Sequence, residues 1–300
     1  MRIGIIGGGS IGLLFACYLS KIHQVTLYTK SQKQADEINI HGVSLEKELD
    51  RFHARMEATP YFNWTGEEHL TLIAVKQYQL QDLMPIIMEK SSANKNHFLF
   101  LQNGMGHLKW LNDLRAASII VGSVEHGAAK INAHTVDHNG MGVTRAAVYR
   151  GGDKLLNELA DSLSSSFPIE VETDYRSMLI KKLVVNAVIN PLTSILKVKN
   201  GQLIENPYYY SEVISLFNEV ADILNLERKQ DHLENLISIC RNTANNRSSM
   251  LKDLEEGRPT EADAILGYLA DEANRENKNA PLIQLFLNCI RGKELEKERF

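Results

Sequence analysis

Hydrophobic and polar positions change their period part-way along this chain. In the first half, short β-rich apolar runs alternate with stretches of helical length; beyond Asp174 nearly every apolar pattern repeats with the 3.6-residue period of a helix. The opening MRIGIIGGGSIGLLFACYLS predicts a strand from Ile3 to Ile6, a glycine turn, and a helix from Ile11 onward. QVTLYTK, LTLIAVK, HFLFLQNG and SIIVGSVEHGAAK follow as apolar runs that end in polar residues. INAHTVDHNGMGVTRAAVY then alternates around His138, Asn139 and Gly140, which predicts an antiparallel hairpin at one edge of a parallel sheet. SFPIEVET closes this part near residue 170.

The second half reads as helices in RSMLIKKLVVNAVIN, SEVISLFNEVADILNL, ENLISICRNT and EADAILGYLADEANR. Pro191 and the turn residues Lys199, Asn200 and Gly201 punctuate it, and GKELEKERF is a solvated final helix or tail. The expected organisation is an α/β domain over residues 1–171 and an all-α domain over residues 172–300. Within KKLVVNAVIN, Lys182, Asn186 and Asn190 recur every fourth position. Each step advances ~40° past a full turn, so an ammonium and two amides form one polar stripe on an apolar helix. Lys181 lies ~100° from Lys182 and reads as a solvated charge.

Composition then narrows the partners. The 300 residues carry 33 basic and 37 acidic side chains, interspersed, for a formal net charge of -4, and this leaves no footprint for nucleic acid. Cys17, Cys240 and Cys289 form neither a C-x-x-C pair nor an even set, which fits a reducing compartment and a cytoplasmic protein. The uncharged run from Ile3 to Ser20 is broken by five glycines and has no cleavage pattern, so neither a targeting segment nor a membrane span is expected. No H-E-x-x-H, C-x-x-C or His-rich tract offers a metal site, and no G-x-S-x-G marks a serine hydrolase.

Candidate chemistry begins at the first turn. Gly7, Gly9 and Gly12 fit G-x-G-x-x-G between a strand and a helix, where the glycines make the turn, admit a pyrophosphate and allow close helix packing. The loop Gly7, Gly9, Ser10, Ile11 and Gly12 is therefore expected to hold a dinucleotide at a helix N-terminus. QVTLYTK ends without the acid that would bind ribose hydroxyls; Thr29, Lys30 and Ser31 stand there, which favours NADP over NAD, although a solvated lysine is the plain alternative. Lys76 and Asn103 end the next two runs, where ligands of open α/β sheets lie, although a surface lysine and an Asn-Gly turn explain them equally well. SIIVGSVEHGAAK supplies Glu125 and His126 near its end; a lone histidine there is more often a hydrogen-bonded structural residue than a catalyst, and the sequence does not say whether either residue meets the cofactor. In the helical half, NNRSSMLKD presents Asn246, Ser248 and Ser249, and PTEADAILG presents Glu261 and Asp263. Snorkelling of Lys182, local hydrogen bonding by the amides and a helix-dipole role for Glu261 are the structural alternatives. No Tyr is followed four residues later by Lys, so lysine is left as the best proton donor for a carbonyl reduction.

Taken together, GGGSIG, AVK at Lys76, FLQNG at Asn103, KLVVNAVINPLTSILKVKNG, NNRSSMLKD and TEADAILG resemble the ketopantoate reductase (2-dehydropantoate 2-reductase) family along the whole chain. The resemblance implies an N-terminal Rossmann-type dinucleotide-binding domain, a C-terminal all-α domain, a site in the cleft between them, and NADP-dependent reduction of a small 2-keto acid in pantothenate biosynthesis. It also implies that Lys182 protonates the ketone oxygen, that Glu261 hydrogen-bonds the nascent hydroxyl, and that Asn103 bridges cofactor and substrate. Asn186, Asn190, Asn200, Asn246 and Ser249 match positions that hold the substrate; Lys30 matches a 2′-phosphate contact and Lys76 one near the nicotinamide. The motif departs from the family's T-E-I-D-x-x-N-G at Leu266, and Lys rather than Arg at position 30 gives a point charge in place of a bidentate fork. A reductase of another 2-keto acid and a non-catalytic NADP-binding sensor are the rival readings. A homodimer is compatible with the sequence and not fixed by it.

Overall fold

A computed structural model of the chain describes residues 1–48, 50–93, 95–163 and 167–298. It divides into two compact units, Met1–Gln102 with Leu108–Met178, and Asn103–His107 with Leu179–Phe300.

The first unit runs β1 (Arg2–Ile6), α1 (Ser10–Leu19), β2 (Gln24–Thr29), α2 (Gln32–His41), β3 (Val43–Lys47), β4 (Asp50–Ala54), β5 (Glu57–Pro60), β6 (Leu70–Ile73), α3 (Leu80–Lys90), β7 (His97–Phe100), β8 (Ser118–Val124), β9 (Gly127–Lys130), β10 (Thr135–Gly140), β11 (Thr144–Gly151), α4 (Lys154–Leu163) and β12 (Ile169–Glu172). An eight-stranded sheet has the order β12-β11-β8-β7-β6-β1-β2-β5. From β5 to β8 every pairing is parallel, and β11 joins β8 antiparallel with β12 parallel to β11. β1 is the centre: Ile3 and Ile5 pair with Val25 and Leu27 on one side and with Leu70 and Leu72 on the other. The strand order therefore reverses at β1, and its carboxyl end is the switch point where open α/β sheets bind ligands.

The predicted hairpin around His138 is not formed at this sheet's edge. β10 lies in a second, four-stranded sheet of order β4-β3-β10-β9, parallel to β3 and antiparallel to β9, while β11 belongs to the large sheet. Alternation reports which faces are buried and not which strand is the neighbour. β3 and β4 carry little apolar signal in the sequence, because SLEKELDRFH is rich in charge and the pair is short. α1 packs against both sheets: Leu13, Leu14 and Phe15 join Ile3, Ile5 and Leu27 in one core with Val43, Leu45 and Val136 of the second sheet. Its buried residues encircle the helix, which accounts for the long uncharged run at the start of the chain.

The second unit is helical: most of α5 (Tyr175–Leu196), then α6 (Gln202–Glu205), α7 (Pro207–Ile223), α8 (Lys229–Asn242), α9 (Ser249–Glu255), a π-helical turn (Asp263–Gly267), α10 (Tyr268–Arg275) and α11 (Pro281–Glu298). Local chemistry sets the ends. Asn206 caps α7 by accepting from Tyr208 N, with Pro207 at the first helical position, and the Glu219 carboxylate accepts from Leu282 N and Ile283 N at the start of α11. Pro191 does not end its helix. α5 continues to Leu196, and the Thr193 hydroxyl, which donates to Ile189 O at 2.7 Å and Asn190 O at 3.1 Å, supports the turn around the proline. α5 is long and apolar enough to cross a membrane by length and composition, but 67% of its apolar window is buried, as in a core helix.

Candidate active site

In the first unit the glycine loop leaves β1 at the switch point. Gly7 takes φ +123°, and a Cβ there would lie 2.8 Å from the Ala74 carbonyl carbon. A Cβ on Gly12 would lie 1.7 Å from the Gly7 carbonyl oxygen, so any side chain would push α1 off the loop. Gly9 differs: nothing lies within 4 Å of the place its Cβ would occupy. Gly9 is also the residue capping α1, and no side chain caps that helix end. The first-turn amides of Ser10, Ile11 and Gly12 thus face an open cradle with the positive end of the helix dipole behind them, which fits a dinucleotide pyrophosphate.

The adenosine side of such a ligand would lie towards the end of β2. Thr29 is buried and its hydroxyl donates to Ser31 O at 2.9 Å; Ser31 accepts from Gln34 N at 3.3 Å and so caps α2. Lys30, between them, is exposed. Two residues that the sequence reading missed meet the loop here. Gln34 Nε2 and Lys130 Nζ each donate to the Gly8 carbonyl oxygen at 2.8 Å, and Gln34 also donates to Ala133 O at 2.8 Å. Burial lowers the pKa of Lys130. Their contribution had no local signal, because it depends on β9 belonging to the second sheet. Lys76 is half-buried beyond β6, its backbone N–H donating to Gln79 Oε1 at 3.1 Å.

Glu125 is exposed and pairs with Arg145 at 3.4 Å. His126 turns inward, stacking on Phe167 at 4.2 Å between ring centroids and accepting from Gly142 N at 3.2 Å, with His138 Nε2 3.3 Å from its Nδ1. The other nitrogen of His138 lies 2.8 Å from the Tyr18 hydroxyl. Burial, and then the neighbouring His138, push the pKa of His126 down to about 4. This is a neutral packing cluster between α1 and the second sheet.

In the second unit the α5 stripe descends into the core: Lys182 and Asn186 are half-buried and Asn190 is buried, while Lys181 is exposed. Asn103 Nδ2 donates to Glu261 Oε2 at 2.8 Å, joining residues 158 positions apart. The turn that presents Asn103 depends on Gly104, which takes φ +73° and packs so closely that a Cβ would lie 2.1 Å from the Ala264 carbonyl oxygen. Ala264 belongs to the π-helical turn that follows Glu261, a local widening of the helix that recurs at functional sites. Thr260, upstream, accepts from Ala262 N and donates its own N–H to Glu294, so the strand of chain carrying Glu261 is held from both sides.

The remaining predicted residues form a neighbouring cluster. Asn200 donates its backbone N–H to Asn246 O at 3.0 Å and its side-chain amide to Thr243 Oγ1 at 2.9 Å. Its buried side-chain oxygen has no protein partner. Ser248 is buried, caps α9 by accepting from Leu251 N, and donates its own hydroxyl hydrogen to Thr193 Oγ1 at 2.7 Å, the Thr193 hydrogen being used on its helix carbonyls, which ties this segment to α5. Asn246 and Ser249 are exposed. Leu266 is fully buried, a core residue of the π turn. Among the described residues no group of three or more His, Cys, Asp or Glu side chains could hold a metal ion.

A switch-point glycine loop on a parallel sheet, with a helical unit that carries a lysine–amide stripe and a paired amide and carboxylate, defines the class: a two-part dehydrogenase-type chain. The family descriptions "Ketopantoate reductase PanE/ApbA" and "Ketopantoate reductase PanE/ApbA C terminal" match residues 3–151 and 174–294. The 2-dehydropantoate 2-reductase of Bacillus subtilis (strain 168) is 42% identical over 296 residues, covering 98% of each chain, and that of Listeria innocua is 37% identical over 99% of this chain and 98% of its own. The crystal structure of the probable B. subtilis 2-dehydropantoate 2-reductase superposes with a TM-score of 0.90 at 41% identity, over 98% of this chain and 100% of that one. D-mandelate dehydrogenase with NADH and anilino(oxo)acetate shares the fold, at a TM-score of 0.90 and 21% identity over 99% of each chain. The chain belongs to the ketopantoate reductase family.

Proposed function

We propose that this chain is a cytoplasmic, NADPH-dependent reductase that converts 2-dehydropantoate (ketopantoate) to pantoate in pantothenate and coenzyme A biosynthesis, working as a homodimer. The observation that carries the reading is the 42% identity to a 2-dehydropantoate 2-reductase over 98% of both chains. Residues 1–171 are assigned the cofactor and residues 172–300 the substrate, with Asn103 serving both.

Reduction of a 2-keto acid needs a hydride, a proton at the ketone oxygen, and anchors for the substrate's carboxylate and hydroxyl. The bound nicotinamide supplies the hydride. Gly7, Gly9, Ser10, Ile11 and Gly12 take the pyrophosphate, Lys30 the 2′-phosphate, and Lys76 and Asn103 the nicotinamide end. Lys182 holds the proton and gives it to the oxygen as negative charge develops there. Glu261 accepts from the nascent hydroxyl, and its bond from Asn103 fixes the carboxylate's orientation. Asn186, Asn190, Asn200, Asn246 and Ser249 bind the substrate's polar groups; the unpartnered oxygen of Asn200 supports this, because a buried amide oxygen without a partner is costly unless a ligand or water meets it.

A second reading, turnover of a different 2-keto acid, is favoured by Leu266 in the place of the family's Asn. One assay separates the readings: NADPH oxidation with ketopantoate and a panel of 2-keto acids. Selective turnover of ketopantoate supports the proposal, preferential turnover of another acid supports the second reading, and NADPH binding without turnover of any acid contradicts both.

A further inference from the structure

The ammonium of Lys130 sits on the phosphate-binding turn, yet neither the glycine-loop motif nor the end of β2 accounts for it. It reaches that turn from β9 of the second sheet and donates to the Gly8 carbonyl oxygen at 2.8 Å. Gln34 Nε2 donates to the same oxygen at the same distance, so the carbonyl is already served by a neutral amide. A second donor carrying a full charge is more than a clamp requires. Among the described residues no carboxylate pairs with Lys130, and an ammonium has three donors of which Gly8 takes one. Partial desolvation of a cation without an anion is unfavourable and invites one.

The neighbourhood says which anion. Gln34 is the third residue of α2, whose cap, Ser31, directly follows Lys30. Lys130 shares an oxygen with Gln34, so it lies beside the N-terminus of α2, at the end of β2 where a dinucleotide's adenosine ribose is bound in this type of fold. Lys130 as a residue is exposed and accessible. From this geometry we infer that Lys130 is a second cation of the subsite for the cofactor's 2′-phosphate, and so a determinant of NADPH over NADH. A single lysine at position 30 offers a point charge where an arginine would offer a fork; a lysine from each of two sheets restores two separate donors for one phosphate.

The inference rests on the NADP reading above, and equilibrium binding to the ligand-free enzyme separates the two. Titrations of NADPH, NADH, 2′,5′-ADP and 5′-AMP, by calorimetry or fluorescence, would be compared for the wild type, Lys130→Gln and Lys130→Arg. Losing one charge-assisted contact weakens NADPH and 2′,5′-ADP about tenfold or more in Lys130→Gln, with NADH and 5′-AMP within about twofold of wild type, and Lys130→Arg recovers most of the loss. Unaltered Kd for NADPH, or equal weakening of NADPH and NADH as expected of a residue that only braces the glycine loop, overturns the inference and leaves the NADP reading intact. A wild type that binds NADH as tightly as NADPH overturns both.

Discussion

The bond from Asn103 to Glu261 gives a test of site geometry that does not depend on turnover. It is a charge-assisted hydrogen bond of 2.8 Å between half-buried side chains. Hydrogen bonds to charged groups are worth about 1.5–3 kcal/mol, and partial exposure of both partners places this one near the lower end. In a double-mutant cycle of Asn103→Ala, Glu261→Ala and the double variant, urea unfolding should therefore give a coupling of about 1–1.5 kcal/mol. The single variants should each lose more than that where the remaining partner is left unsatisfied. Turnover should show the same non-additivity, since either change releases the carboxylate from its orientation. A coupling below about 0.3 kcal/mol would be indistinguishable from additive behaviour; it would mean that the two residues act separately and would refute the shared role assigned to them.

Other expectations concern packing and pH. Gly12→Ala places a Cβ 1.7 Å from the Gly7 carbonyl oxygen, so overpacking should cost about 1–3 kcal/mol and abolish tight NADPH binding; an unchanged melting temperature would contradict the described loop. His126 has a folded pKa of about 4 against ~6.5 in the unfolded chain, so between these values the unfolded state binds the proton that the native state refuses. Its contribution to stability is complete above about pH 6.5 and is lost as pH falls towards about 4, a drop of about 2–3 kcal/mol. Urea unfolding at neutral pH and at about pH 4.5 measures it, and His126→Phe, which keeps the stacking on Phe167, should flatten the difference; equal acid sensitivity of both proteins would exclude His126 as its source.

The sequence disclosed what is local. The strand–turn–helix at Gly7 to Gly12, the parallel runs and the α5 stripe are all visible in the sequence because each pattern lies within one strand, one turn or about two to three turns of one helix. What escaped depends on partners far apart in the chain. β10 alternates as a hairpin strand would, yet it pairs with β3, some ninety positions earlier, in a sheet whose charged strands carry little apolar signal. Pro191 looked like a stop because its local effect is to break helices; burial and the Thr193 hydroxyl override it. By local pattern Glu261 is a carboxylate near a helix start, and only the family resemblance gives it a role at the hydroxyl; its bond to Asn103 is a product of the fold. Lys130 had no pattern at all, since its meeting with Gly8 spans 122 positions and two sheets.

The stripe on α5 is the centre of the account, and one comparison tests it most directly. Lys181 and Lys182 are adjacent and of the same residue type, but Lys181 is exposed and Lys182 is half-buried beside the amides of its helix face. The measurement is steady-state NADPH oxidation with ketopantoate, together with NADPH affinity, for Lys181→Ala and Lys182→Ala. Lys182→Ala should lose ~10²-fold to 10⁴-fold in kcat, as expected for removal of a general acid, with NADPH affinity nearly unchanged, and Lys181→Ala should be close to wild type. Equal losses in the two variants, or a Lys182→Ala enzyme that turns over normally, would contradict the assignment of the proton donor.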